Sequence, residues 1–354
     1  MNPLPGERML SGADFSALAC VRPGLPSKPL VVLLPGGGHF GRIFYGHPDC
    51  EPDDFLVTHL ACDGFSTLAL SYPALPEMTI TQWAAAIAAM TADHLAESQL
   101  PRRIVAVGWS LAGRLARTLS VACRDLGIEI EVFIGLSAAP FIPGFGVLSP
   151  SDLQLATSGL LDGSSPGSPI FQSREAQLQM IDDLNGRVVI PRPAYAAFHV
   201  TDSPINFRGE AERYKNRRLV PDLAAAIADQ GTFDYANYPI CATISAASPL
   251  DAAHALTDSS AFGMLTAQGI YHRFVKPSLC NTRPTARQWT ALRRLMASLH
   301  SRLSRSVDGS HFFFVGAHGA RATSSYIREL HDESRAILDE LETVLGTPGL
   351  QASR

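Results

Sequence analysis

The chain predicts an α/β fold, a mostly parallel sheet flanked by helices. Three observations lead there: apolar runs of strand length, amphipathic patterns between them, and Gly or Pro where the two kinds of segment meet. The first run is Pro29 to Leu34 (PLVVLL), which stops at Pro35-Gly36-Gly37-Gly38 and reads as a buried strand followed by a loop. Phe65 to Tyr72 (FSTLALSY) reads as the second strand, closed by Pro73. A helix is expected from Thr79, where Thr79-x-x-Gln82 forms a capping box and Ile80, Trp83, Ile87, Met90 and Leu95 share a face.

Ile104 to Val107 (IVAV) makes the third strand, and Leu111, Leu115, Leu119, Ala122 and Leu126 then recur at helical spacing. The fourth strand is Val132 to Leu136, stopped by Pro140 and Pro143. Periodicity weakens from about 144 to 237, a stretch with a Gly/Ser/Pro-rich segment from Asp162 and an Arg/Glu-rich, helix-like segment near Arg208 to Arg218. We read it as an insertion between two core segments, 1–143 and 238–354. The strand pattern resumes at Pro239 to Ser245, and two amphipathic helices follow, with Trp289, Leu292, Met296, Leu299 and Leu303 on one and Ile327, Leu330, Ile337 and Leu341 on the other.

Composition excludes several classes of function. In 354 residues, 46% are hydrophobic and 18% charged, ordinary values for a globular protein, and the formal charge is only -4. No Lys/Arg run is long enough to neutralise a phosphate backbone, so nucleic acid is not the expected partner. No apolar stretch approaches the roughly 20 residues that span a bilayer. The first residues, with two prolines and acidic groups, do not read as a secretion signal. Six scattered cysteines form no C-x-x-C pair, so reduced thiols in a cytoplasmic protein are expected.

The junction Gly108-Trp109-Ser110-Leu111-Ala112-Gly113 lies between an expected strand and an expected helix, the setting in which a serine nucleophile is thrust out on a tight turn. A serine at such an apex has strained backbone angles, and small residues at 108 and 112 keep neighbouring elements clear. The same turn points the Leu111 N–H, at the positive end of a helix, toward any oxyanion that forms on the substrate. Position 112 is alanine where the strict G-x-S-x-G pattern has glycine, and alanine is still small.

The run from Val107 to Pro140 (VGWSLAGRLARTLSVACRDLGIEIEVFIGLSAAP) resembles the thioesterase branch of the α/β-hydrolase superfamily, including release domains of peptide and polyketide assembly lines. The resemblance implies the α/β-hydrolase fold with an inserted lid, here at about 144 to 237, and a triad in the chain order Ser, acid, His. By analogy with the glycine-rich loop that supplies the second oxyanion donor in such enzymes, Gly37 is the first choice for that donor and Gly38 the second. For the base, His311 in Gly309-Ser310-His311-Phe312 resembles the G-x-H-F segment of thioesterases; His318 would replace it if Phe312 to Val315 were the last strand. For the acid, assembly-line release domains often use the end of the preceding strand, which here reads Leu136-Ser137-Ala138 and holds no carboxylate. The segment SAASPLD therefore favours Asp251, with Asp258 close behind. The interval from Asp251 to His311 is long, so extra structure is expected from Ala252 to Pro284.

The expected activity is cleavage of an acyl ester or thioester by Ser110, His311 and Asp251, with Leu111 and Gly37 holding the oxyanion and with no metal or organic cofactor. Acyl transfer, cyclisation or carbon-carbon cleavage by the same triad, and a non-catalytic binding protein on the same scaffold, are the competing readings. Arg287, Arg293, Arg294, Arg302 and Arg305 lie on one basic helix, read as solvated surface or as a docking face for an acidic acyl carrier protein that presents the thioester.

Overall fold

A computed structural model describes residues 2–142, 155–165, 169–208, 212–281 and 283–346. Eight strands form one sheet in the order β1 (Glu7–Gly12), β2 (Phe15–Arg22), β4 (Thr67–Leu70), β3 (Leu30–Leu34), β5 (Arg103–Trp109), β6 (Glu129–Leu136), β9 (Cys241–Ala246) and β10 (Ser304–Val307). The six strands from β4 to β10 run parallel, while β1 and β2 add an antiparallel hairpin at one edge. Chain order reverses between β3 and β5, because β3 connects outward to β4 before the chain returns to β5. In an open α/β sheet, the crevice at such a reversal, beyond the carboxyl ends of the strands, is where ligands bind.

Helices on both faces explain why the central strands are apolar at every position rather than at alternate ones. Leu30, Val32 and Leu34 of β3 pack into one core layer with Trp83 and Ile87 of the helix Ile80–Glu97 and Leu119 of the helix Ala116–Asp125. Val31 and Leu33 point the opposite way, into a layer with Leu56 and Leu60 of the helix Leu56–Cys62 and with Ile327, Leu330 and Ile337 of the long final helix Ala317–Leu345. The capping box at Thr79 is present, with Thr79 Oγ1 accepting from the Gln82 N–H at 3.1 Å and Gln82 Oε1 accepting from the Thr79 N–H at 3.0 Å. Trp289 departs from its expected place. It is exposed, and Leu292, Leu295 and Leu299 make the buried face of that helix.

Of the stretch expected to be inserted, 144–154, 166–168 and 209–211 lie outside the described residues. The rest includes the helices Pro169–Asn185 and Leu223–Gln230 and a separate antiparallel pair, β7 (Glu212–Lys215) and β8 (Arg218–Pro221). That pair corrects the helix expected near Arg208 to Arg218. Asn216 and Arg217, at φ 51° and 61°, form a two-residue turn whose twist suits a hairpin, so turn chemistry outweighed the helix-like charge pattern. Phe312 to Val315 is likewise not a strand; the last strand is the polar β10, and the three phenylalanines are fully buried in the loop beyond it. No helix among the described residues is long and apolar enough to cross a membrane, and all six cysteines are unpaired.

One buried carboxylate ties that loop to the rest. Asp54 accepts two hydrogen bonds from Arg187, at 2.6 and 2.8 Å, and its Oδ1 also accepts from the Ala317 N–H at 3.0 Å, at the start of the final helix. Asp54→Ala is expected to cost about 2–3 kcal/mol by removing charge-assisted bonds, read as a lower urea midpoint with an unchanged slope.

Candidate active site

Every expected site residue comes from a carboxyl-end loop of this sheet, and the order of strands explains how distant segments meet. The strand β5 ends at Trp109, and the chain turns directly into a 3-10 helix at Ser110. Ser110 has φ 52°, a region that costs a non-glycine residue of order 1–3 kcal/mol and persists only where the surroundings hold it. The surroundings are tight. A Cβ at Gly108 would lie 2.8 Å from the Phe133 ring and 3.0 Å from the Ala112 carbonyl oxygen, so the elbow closes only over glycine there.

The loop after β3 lies against this turn. A Cβ at Gly36 would come within 2.9 Å of Ser110 Cβ and 3.0 Å of the Trp109 ring. Gly36→Ala is therefore expected to push Ser110 out of place and to lower turnover by about a hundredfold, with little change in the far-ultraviolet spectrum, as steady-state kinetics would show.

Hydrogen bonds in the loop single out one amide. The N–H groups of His39 and Gly38 both face the Tyr72 hydroxyl, the former at 3.0 Å. The Gly37 carbonyl oxygen accepts from Arg174 Nη2 at 2.8 Å and from His39 Nδ1 at 3.1 Å, and Tyr195 closes the network through a 2.7 Å bond to His39 Nε2. Burial, reinforced by the Arg174 guanidinium, holds the pKa of His39 well below the ordinary imidazole value, so the ring is neutral and can accept from Tyr195. Among the described residues the Gly37 N–H has no partner, whereas that of Gly38 is committed.

The candidate acid and base follow strands on the other side of β5. After β9 the chain forms a short 3-10 turn, Pro249–Asp251, which places Asp251 at the N-cap of the helix Ala252–Ile270. Beyond β10, His311 points Nδ1 at that carboxylate, at 3.0 Å from Oδ1 and 3.1 Å from Oδ2. Burial alone would raise the Asp251 pKa. The charge and hydrogen bond of His311, the charge of His254 and a bond with Ser137 outweigh it and hold the carboxyl below its ordinary value. Ser137 stands where assembly-line release domains often carry their acid, and its hydroxyl supports Asp251 instead.

The rival candidates fall elsewhere. His318 is exposed in the first turn of the final helix. Asp258 is buried and accepts from His254 Nδ1 at 3.0 and 3.1 Å, so its histidine is 254, not 311.

Several site residues carry no sequence signal. Gln177, from the helix Pro169–Asn185, accepts from the His311 N–H at 3.1 Å through Oε1 and from Ser310 Oγ at 2.8 Å through its backbone carbonyl. Trp109 Nε1 donates to the His311 carbonyl at 3.0 Å. The His311 backbone is thus held from both sides, which orients the ring. Ser110, Leu111, Gly37, Asp251 and His311 line one cavity of about 530 Å³, together with Arg174, Gln177 and His254. No hydrogen bond joins the Ser110 hydroxyl to His311 here; the two are brought together as walls of this space.

Asp251, His254 and His311 also bring one potential metal-ligand atom each to within 4.8 Å of one another. All three groups are already engaged, His311 and Asp251 with each other and His254 with Asp258. The donor set therefore reads as paired acid-base chemistry.

Comparisons with known proteins agree with this architecture. The profile of the alpha/beta hydrolase family matches residues 31–323. No curated protein sequence matches significantly. Among solved structures, a putative epoxide hydrolase from Pseudomonas aeruginosa aligns over 96% of this chain and 100% of its own, at 14% identity and a TM-score of 0.50. A thermophilic esterase from Thermogutta terrifontis aligns over 92% and 99% of the two chains at 12% identity and a TM-score of 0.47. The thioesterase domain from the curacin biosynthetic pathway aligns over 92% and 100% at 11% identity and a TM-score of 0.41. Identities this low speak to fold alone. The matched span, from β3 through the elbow, both candidate loops and the start of the final helix, covers most of the sheet, and the chain belongs to the alpha/beta hydrolase family.

Proposed function

We propose that the protein is a serine hydrolase that cleaves an acyl ester or thioester through an acyl-enzyme on Ser110. The observation that carries this reading is the strained Ser110 lining the same cavity as a His311–Asp251 pair. In the proposed cycle, His311 Nδ1 is committed to Asp251, so Nε2 takes the Ser110 proton as Oγ attacks the substrate carbonyl. The N–H groups of Leu111 and Gly37 stabilise the oxyanion. Collapse expels the alcohol or thiol, which takes the proton back from His311. Water, deprotonated by His311 in turn, attacks the acyl-enzyme and releases the acid and free Ser110. A contact between serine and base that forms only with substrate is common in enzymes of this type.

A fluorophosphonate probe tests the reading directly. Labelling confined to Ser110, found by mass spectrometry of the digested protein, is the expected result; an unlabelled serine in folded protein defeats it.

Secondary metabolism, with the thioester presented by an acyl carrier protein, is the setting suggested by the Val107 to Pro140 resemblance. The basic helix supports it in part; it ends at Arg302, so Arg305, expected on it, belongs instead to β10. Arg302 and Arg305 are engaged with Glu333, Glu340 and Glu329, whereas Arg287, Arg293 and Arg294 remain exposed for an acidic partner. Such docking would weaken steeply with added salt.

A further inference from the structure

The cavity holds a buried cation whose charge the proposed mechanism does not use. Arg174 is only 6% exposed, yet it lines the same space as Ser110 and His311. Its partners are all neutral oxygens: the Gly163 carbonyl at 2.9 Å, the Gly37 carbonyl at 2.8 Å and the Tyr195 hydroxyl. It forms no ion pair with any described residue. Asp251 is the one carboxylate among the described lining residues, and it is committed to His311. His254, near Arg114 and backed by Asp258, lines the same space.

A guanidinium withdrawn from water without a counter-charge is costly, and proteins rarely keep one unless something pairs with it. Its planar fork has five N–H donors and suits the two oxygens of a carboxylate or phosphate. Resting on the reading of Ser110 as the nucleophile, we propose that the substrate carries an anionic oxygen group, carboxylate or phosphate, which Arg174 pairs with when the scissile carbonyl is at Ser110. A structural clamp on the oxyanion loop would need only the bond to Gly37; the uncompensated charge facing the cavity is what requires a ligand.

The test compares matched esters. The p-nitrophenyl half-ester of glutarate and p-nitrophenyl pentanoate have the same chain length and leaving group and differ in a terminal carboxylate. The wild-type protein is expected to favour the anionic ester in kcat/KM by about ten- to a hundredfold, as a charge-assisted pair supplies. Arg174→Gln should abolish the preference and Arg174→Lys should retain part of it. Because Arg174 also holds Gly37, Arg174→Gln should slow the neutral ester too; the ratio of the two substrates removes that shared effect. A second arm places the anion on the leaving group, comparing butanoyl phosphopantetheine with butanoyl N-acetylcysteamine. An Arg174-dependent preference in the first arm locates the anion on the acyl chain, and in the second on the thiol. No preference in either arm, or one that survives in Arg174→Gln, overturns the proposal.

Glutarate binding to Ser110→Ala protein, followed by calorimetry, keeps the inference apart from the mechanism. Should neither ester be cleaved and the probe fail to label, the hydrolase reading falls. Binding that Arg174→Gln weakens at least tenfold would still support an anion site, and no binding would end that as well.

Discussion

Replacing Ser110 with alanine is expected to lower turnover of any cleaved ester by roughly four to six orders of magnitude while leaving substrate binding nearly unchanged. Nucleophile and base act as one unit, so losing the hydroxyl removes the covalent route altogether; what survives is the modest assistance of oxyanion donors and binding. The serine is at φ 52°, so alanine, which dislikes that region equally, should neither relieve nor add backbone strain. A thermal midpoint within a few degrees of wild type would confirm that the loss is chemical. A decrease of less than tenfold, measured in the burst-free steady state, would remove Ser110 from the mechanism.

The second large effect separates two carboxylates that are seven positions apart in sequence. Asp251→Asn is expected to lower kcat by about 10⁴-fold, because an amide in place of the carboxylate presents an N–H where His311 Nδ1 needs an acceptor and so favours the wrong tautomer. Asp258→Asn should change kcat by less than about tenfold, since its bonds go to His254. Asp258 is not silent, however. Burial pushes its own carboxyl pKa up despite the nearby histidine, and its bond to His254, with the charges of Asp258 and Asp251, overcomes burial and raises the His254 pKa above the ordinary imidazole value. The Asn variant should therefore lower the His254 pKa, visible by nuclear magnetic resonance as a titration midpoint moved to lower pH. Should Asp258→Asn prove the more damaging to kcat, the roles assigned here are reversed.

How legible each part was depended on whether its signal was local. The strand β3 is five consecutive buried apolar residues with glycines behind it, and the helix after Thr79 declares its start through a capping box. Such features arise from near neighbours in the chain. The strand β10 was invisible because Ser304, Arg305 and Ser306 are polar: it is an edge strand with one partner, and no burial on both faces demanded apolar side chains. The β1–β2 hairpin escaped for a related reason, its outer strand being largely exposed. The β7–β8 hairpin misled because charged residues at helix-like spacing conceal a turn made by Asn216 and Arg217, neither of which is glycine.

The site divides in the same manner. Ser110 and the Gly36 to Gly38 loop could be read because a tight turn and a close backbone approach both require small residues at fixed positions. Asp251 and His311 could be named as candidates, each with a rival, but nothing local decides which pair meets across 60 positions. That decision belongs to β9 and β10 being neighbours in the sheet, which puts the two loops side by side and leaves Asp258 about two helix turns too far on, paired with His254. Arg174, Gln177 and Tyr195 had no pattern at all, since each acts through bonds to residues distant in the chain. The sequence by itself determined the layered α/β architecture and the tight turn that carries Ser110, because periodicity and turn sterics are properties of short segments. Only the tertiary structure decided which imidazole faces which carboxylate, and placed an uncompensated guanidinium beside them, because contacts between distant segments follow from strand order rather than from residues near in the chain.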